Sequence, residues 1–189
     1  MHAFDAAVLK NAAGQVEIEV RRTKAGERVA ALDGLTYELP INTLVIASGQ
    51  KILAMAGIKG AVEASITHKT TEVLVESANF CAPLIYESSH ALNLRTDASN
   101  RFSAGLSSAL TSSGLTKIAE VLAQVGGAKV MGRLDVCPAP RPVKSVILLP
   151  EHVDERAGVK IEPKVCRRAL TALGFKVGDG RARQSWRVT

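Results

Sequence analysis

What this chain has little of narrows its possible functions before any motif is read. It carries three cysteines, Cys81, Cys137 and Cys166, far apart and odd in number, which suggests neither a disulfide framework nor a zinc knuckle and fits a reducing cytoplasm. No apolar run approaches the roughly 18 residues that a membrane-spanning helix needs, so no membrane partner is expected. The start MHAFDAAVLK lacks the basic-then-apolar order of an export signal. His68, His90 and His152 have no metal-ligand spacing and read as surface residues. A GxxxxGK[ST] phosphate loop is missing, as is a Ser/His/Asp or Cys/His set. Aromatic residues are scarce, and after residue 140 only Phe175 and Trp186 could stack on single-stranded bases.

What is there suffices for a folded body. At 189 residues and 47% apolar content the chain can bury one large domain, or one medium and one small. Charge divides it: residues 1–140 hold 13 Lys+Arg and 13 Asp+Glu, whereas residues 141–189 hold 11 and 5, so the whole positive excess lies in the last quarter. A basic quarter is either a phosphate-facing surface or the ordinary charge of a soluble small domain. At the same boundary stands Pro138-Ala139-Pro140-Arg141-Pro142, whose prolines remove amide donors and hold a chain extended. We expect a first domain over 1–137, a linker over 138–142 and a small basic domain over 143–189.

Periodicity predicts both strands and helices. Val16 to Arg22 alternates as a half-exposed strand, Asp33-Gly34 marks a turn, and Thr43–Ala47 and Ile52–Ala56 read as a hairpin of buried strands. Thr71–Ser77 is a further strand, Pro83–Leu94 a helix with its proline in the first turn, and Leu115–Val125 a helix stopped by Gly126-Gly127. Lys129–Val136 reads as a returning strand. Beyond the prolines the pattern predicts a strand over Val143–Leu149, helices over Glu151–Arg156 and Pro163–Leu173, and two strands around Gly178-Asp179-Gly180. The fold class expected is α+β.

One stretch, Thr71 to Phe102, holds two polar clusters across a predicted helix. Glu76 closes the apolar run Val73-Leu74-Val75; Arg95-Thr96-Asp97-Ala98-Ser99 offers hydroxyl and carboxylate groups that turn a backbone and cap a helix. A strand-end carboxylate is solvated there or faces a ligand, and a TDAS word caps a helix or lines a cleft. Gly57 and Gly60 make a plain turn or a place where backbone approaches a ligand closely. The residues alone leave each choice open. An Asp97–Arg101 ion pair is expected to hold the TDAS loop.

The words VLVESANF and LNLRTDASNRF resemble VLLESAFF and LGLRTDASYRF of the bacterial phenylalanyl-tRNA synthetase beta subunit family. His2-Ala3-Phe4-Asp5 resembles its HAFD box, Leu32-Asp33-Gly34 its LDG turn, and Leu44–Ala47 with Leu53–Ile58 its LVIAD and LALAGVMGG segments. The resemblance is specific over residues 2 to about 135 and looser beyond. It implies a sheet-and-helix body corresponding to the family's third and fourth domains, truncated at its start, followed by most of a small fifth domain of winged-helix-like shape.

By the same resemblance, the region hydrolyses tyrosine wrongly esterified to the phenylalanine tRNA, an editing step of protein synthesis. Such a step is needed because an apolar pocket rejects an added hydroxyl by only about a hundredfold, whereas a site that hydrogen-bonds the hydroxyl discriminates about ten-thousandfold or more. Glu76 would accept the tyrosine phenol. Thr96 and Ala98 would line the pocket, the Ala56-Gly57 peptide and Gly60 would approach the ester, and His2 would sit at the mouth as the titratable helper. No cofactor is implied for this chain, since ATP and Mg belong to the alpha subunit. The implied partners are the acceptor end of the phenylalanine tRNA, the alpha subunit and the rest of the beta subunit, in the cytoplasm. A non-catalytic tRNA-binding or subunit-docking module and a stand-alone editing hydrolase are the alternatives. The chain departs from the family where GVMGG is Gly57-Ile58-Lys59-Gly60-Ala61, where arginines give way to Ser88-Ser89-His90, and where RFERGVDP is Arg101-Phe102 followed by Ser103 to Ser108.

Overall fold

The computed structural model describes residues 1–11, 13–137, 143–180 and 185–189. In chain order it contains β1 (His2–Asp5), α1 (Ala6–Leu9), β2 (Glu19–Arg22), β3 (Arg28–Ala30), β4 (Thr36–Glu38), β5 (Leu44–Ser48), β6 (Lys51–Met55), β7 (Lys59–Gly60), β8 (Val73–Glu76), α2 (Ala82–Ala91), α3 (Asp97–Ser103) and α4 (Leu110–Gly126). There follow β9 (Val146–Leu148), α5 (Pro150–Ala157), α6 (Pro163–Ala172), β10 (Val177–Asp179) and β11 (Trp186–Val188). Every strand pairing is antiparallel among the described residues, so the fold is α+β. The chain divides into two compact units, Met1–Met131 and Gly132–Thr189. The expected linker 138–142 lies outside the described residues.

The first unit is built on a four-stranded sheet of order β2-β5-β6-β7. Leu44–Ala47 of β5 and Ile52–Met55 of β6 are unbroken apolar runs because both faces of these strands are covered. Val45, Ile52 and Met55 pack with Val29, Leu39, Ile58, Ile85 and Phe102, while Ile46, Leu53, Ala54 and Ala56 pack with Phe4, Leu9 and Ala64. Leu44 and Phe80 touch both clusters. Burying a side chain of this size removes about 1.5–3 kcal/mol worth of apolar surface from water, so this hairpin anchors the unit. A two-residue turn joins β5 to β6, with Gly49 at φ 56°, the conformation such a turn requires. Beside the sheet, β1 pairs with β8 and β3 with β4 across the Asp33-Gly34 turn.

Several boundaries differ from the sequence reading. Helix α4 starts at Leu110, before the expected Leu115, because Thr111 and Gly114 continue its half-buried face. It ends at Gly127 in the left-handed conformation, φ 63°, one residue into the expected stop. Lys129–Val136 is not a strand: Val130 is 69% and Leu134 83% exposed, and its alternation meets no partner strand among the described residues. Only Glu19–Arg22 of the expected first strand joins the sheet, Val16 forming an isolated bridge with Lys10. The Asp97–Arg101 ion pair does not form among the described residues; a reciprocal Thr96–Ser99 capping box holds that turn instead.

In the second unit β10, β11 and β9 form an antiparallel sheet in that order. Gly178 and Asp179 lie within β10 rather than in a turn. Buried Cys166 and Trp186 form its small interior, and Arg167 of α6 ties to Asp179 at 2.6 Å with its guanidinium over the Trp186 ring.

Candidate functional site

The site is assembled by the β1–β8 ladder. Its register sets Phe4 against Leu74 and therefore His2 directly against Glu76. Phe4 is fully buried, and a slip of one residue would turn it to the opposite face, so burial of one aromatic ring fixes which side chain faces the carboxylate. The His2 ring lies 4.7 Å from the Phe4 ring, tilted by 57°.

Glu76 and His2 are each half-buried, and each is biased toward its neutral form. Burial raises the Glu76 carboxyl above its ordinary range, against the opposing pull of the N-terminal ammonium and of the Ala78 N–H that it accepts. One carboxylate oxygen, Oε1, is buried without a hydrogen-bond partner. Burial lowers the His2 imidazole, and the nearby N-terminal charge lowers it further. An uncharged imidazole with a free lone pair can take a proton, and an orphaned carboxylate oxygen can accept one donor.

Backbone closes on His2 from β7. A Cβ at Gly60 would lie 2.5 Å from His2 Cε1, 2.7 Å from His2 Nε2 and 2.9 Å from Leu32 Cδ1, so the imidazole rests on the bare glycine. Gly57, at φ 68°, faces Ile85 and Phe80, each 3.2 Å from where a Cβ would stand, and Phe102 at 3.3 Å. Ala56 is buried in the sheet cluster and its N–H donates to the Leu44 carbonyl, so its methyl group is core.

Thr96 caps α3. Its hydroxyl accepts from the Ser99 N–H at 3.1 Å and donates to the Ile58 carbonyl at 2.8 Å, so its one proton is engaged. Ala98 packs beside it on the cluster containing Ile58 and Phe102. The expected residues thus form two groups: His2, facing Glu76 across the ladder, rests on Gly60, while Thr96 meets Ile58. The hydrogen bonds of Thr96 reach Ile58 and Ser99 rather than Glu76. Clefts lined by Glu27, Arg28, Lys51 and Glu63, and by Lys164, Arg167 and Arg168, include none of these residues. Among the described residues no three His, Cys, Asp or Glu side chains gather as a metal site would require. His68, His90 and His152 are exposed.

One part of the surroundings was missed in the sequence. Asp33 Oδ2 accepts from both Lys59 Nζ, at 2.7 Å, and the Tyr37 hydroxyl, at 2.8 Å. These bonds hold the Asp33 carboxyl down at about 2, the Lys59 bond contributing most. The departure at Lys59 was the available signal.

Residues 1–127 match the B3/4 domain family. The curated phenylalanine–tRNA ligase beta subunit of Symbiobacterium thermophilum is 33% identical over 178 residues, 94% of this chain and 20% of that protein. Those of Solibacter usitatus and Zymomonas mobilis subsp. mobilis are 37% identical over 95% of the chain and 30% over all of it, each with 23% of the relative covered. The chain therefore spans about a fifth of the length of these curated relatives. With two-thirds of its residues inside the match, this chain belongs to the B3/4 domain family.

Proposed function

We propose that the first unit carries an editing pocket that hydrolyses tyrosine mis-esterified to the phenylalanine tRNA, as part of a phenylalanine–tRNA ligase beta subunit. The observation that carries the reading is the Glu76 oxygen, buried and unpartnered, opposite a half-buried imidazole. A tyrosine phenol supplies the missing donor; phenylalanine leaves the oxygen unsatisfied, which costs about 1–3 kcal/mol. Phe80 and Phe102 beside Gly57 offer apolar walls of the size a ring needs, and Ala98 is small enough to leave space.

In this reading water attacks the ester carbonyl carbon while His2 accepts its proton. The carbon–oxygen ester bond then breaks, and the ribose oxygen leaves with that proton. Backbone at Ala56-Gly57 and Gly60 steadies the carbonyl, and Thr96 acts by holding Ile58 in place. The chain's own share needs no cofactor, ATP and Mg serving the alpha subunit. Its partners are the tRNA acceptor end, the alpha subunit and the rest of the beta subunit, in the cytoplasm. No helix of the described residues is long and apolar enough to cross a membrane.

The test is hydrolysis of tyrosyl-tRNA-Phe by the 189-residue chain. The parent should exceed the uncatalysed rate, and His2→Ala should lower kcat by about a hundredfold, the usual share of a general base. A folded parent that binds the tRNA and leaves the ester at its uncatalysed rate is a binding module instead.

A further inference from the structure

The segment Ile58–Ala61 is held at every residue, and one of the holds belongs to a side chain that no role above requires. The Ile58 carbonyl takes the Thr96 hydroxyl, and the Gly60 carbonyl takes the Leu32 N–H at 3.0 Å. Ala61 donates to the Leu53 carbonyl at 2.9 Å and bridges Ala31. Between them Lys59 reaches across to Asp33, at the tip of the β3–β4 turn, where Tyr37 also donates and where the Leu35 N–H fixes the second carboxylate oxygen at 3.1 Å. Both members of the ion pair are about three-quarters covered, with side-chain exposures of 23% and 24%, so solvent screens it less than a free surface pair. Leu32, the residue before Asp33, is the one whose Cδ1 confronts Gly60 beside His2. Movement of this turn therefore changes the space in which the imidazole rests.

We propose that Lys59 is a positioning residue: through Asp33 it locks the β3–β4 turn onto Gly60 and so sets the seat of the His2 imidazole against Glu76. The proposal rests on reading His2 and Glu76 as the hydrolytic pair. Lys59 does not act on the ester, because its ammonium is committed to the Asp33 carboxylate on the turn side. It acts by geometry, and a displacement of about 1 Å at a reacting group costs up to about a hundredfold in rate. The charged groups facing His2 are Glu76 across the ladder and the N-terminal ammonium of its own strand.

The experiment compares the parent chain with Lys59→Met, Lys59→Arg and Asp33→Asn, reading the His2 imidazole by NMR titration alongside kcat and KM for tyrosyl-tRNA-Phe. Lys59→Met and Asp33→Asn should each release the turn, move the His2 titration midpoint toward its ordinary value, and lower kcat about tenfold with KM within about twofold. Lys59→Arg keeps the ion pair and should restore both readings. An unmoved His2 midpoint in a folded Lys59→Met overturns the proposal, as does a KM effect without a kcat effect. If the parent itself does not hydrolyse the ester, the hydrolytic reading fails, while the titration still decides whether Lys59 seats the imidazole.

Discussion

Glu76 and Glu27 show opposite ways of holding a carboxylate, and their pH signatures should separate. Arg21 grips Glu27 with two bonds, 2.7 and 2.9 Å, and the Lys24 N–H adds a third; the carboxyl falls from an ordinary 4.5 to about 2, the Arg21 hydrogen bond contributing most. A carboxyl lowered by folding stabilises the fold above its unfolded value, so this contribution should be whole above pH 4.5 and vanish as the pH falls toward 2. Urea unfolding of Arg21→Ala across that range should show a smaller loss on acidification than the parent. Glu76 behaves in reverse. Burial raises its carboxyl, so the folded chain holds a proton that the unfolded chain releases, and stability should decline as the pH rises from 4.5 through the raised value. Glu76→Gln should therefore unfold at higher urea than the parent at pH 7.5 and at nearly the same urea at pH 4. A residue retained at a cost to stability is what a binding role leads one to expect. Gly60→Ala offers a steric counterpart: its methyl group would enter the space of the imidazole, and we expect a loss of about 1–3 kcal/mol together with a displaced His2 resonance.

Among the elements, α3 depends most on its first turn. Thr96 and Ser99 each accept the other's N–H, at 3.1 and 2.9 Å, and Thr96 also donates to Ile58. Ser99→Ala should cost about 1 kcal/mol, the usual value of a cap, and Thr96→Ala about 1–3 kcal/mol, because it also strands the Ile58 carbonyl; chemical denaturation would rank them. Reversal of that order would show that the Thr96–Ile58 bond contributes little. These elements were legible to different degrees. The β5–β6 hairpin was readable because both faces are covered, so Leu44–Ala47 and Ile52–Met55 are apolar at every position. The TDAS cap was readable because capping is local. Strand β1 was known only as a resembling word, since four residues carry no period and their partner, β8, lies some 70 residues away. Lys129–Val136 was misread for the complementary reason: alternation describes what a strand could bury, and nothing in a local window reports whether a neighbour exists. The glycines at 57 and 60 were visible as flexible points, while their contacts, aromatic walls for one and an imidazole for the other, arise only from long-range packing.

At the scale of the whole molecule, the charge boundary and the two compact units lead us to propose domains separable by protease near the proline-rich stretch. Trypsin should cut first after Lys129, Arg133 or Lys144 and leave a protected amino-terminal body; a first cut inside β5 or β6 would contradict it. The proposed editing is read at this scale as a ratio, the rate on tyrosyl-tRNA-Phe over that on phenylalanyl-tRNA-Phe, which cancels binding of the shared tRNA. Glu76→Gln keeps the shape and exchanges a charged acceptor for a neutral one, so the ratio should fall by about tenfold, corresponding to 1–2 kcal/mol of lost preference. Glu76→Ala should reduce it further, with the phenylalanyl rate changed little in either variant. In the parent the ratio should climb with pH as Glu76 ionises, and in the variants it should stay flat. If folded Glu76→Gln and Glu76→Ala both keep the parental ratio, the buried oxygen opposite His2 does not choose the substrate, and the editing pocket is not where we place it.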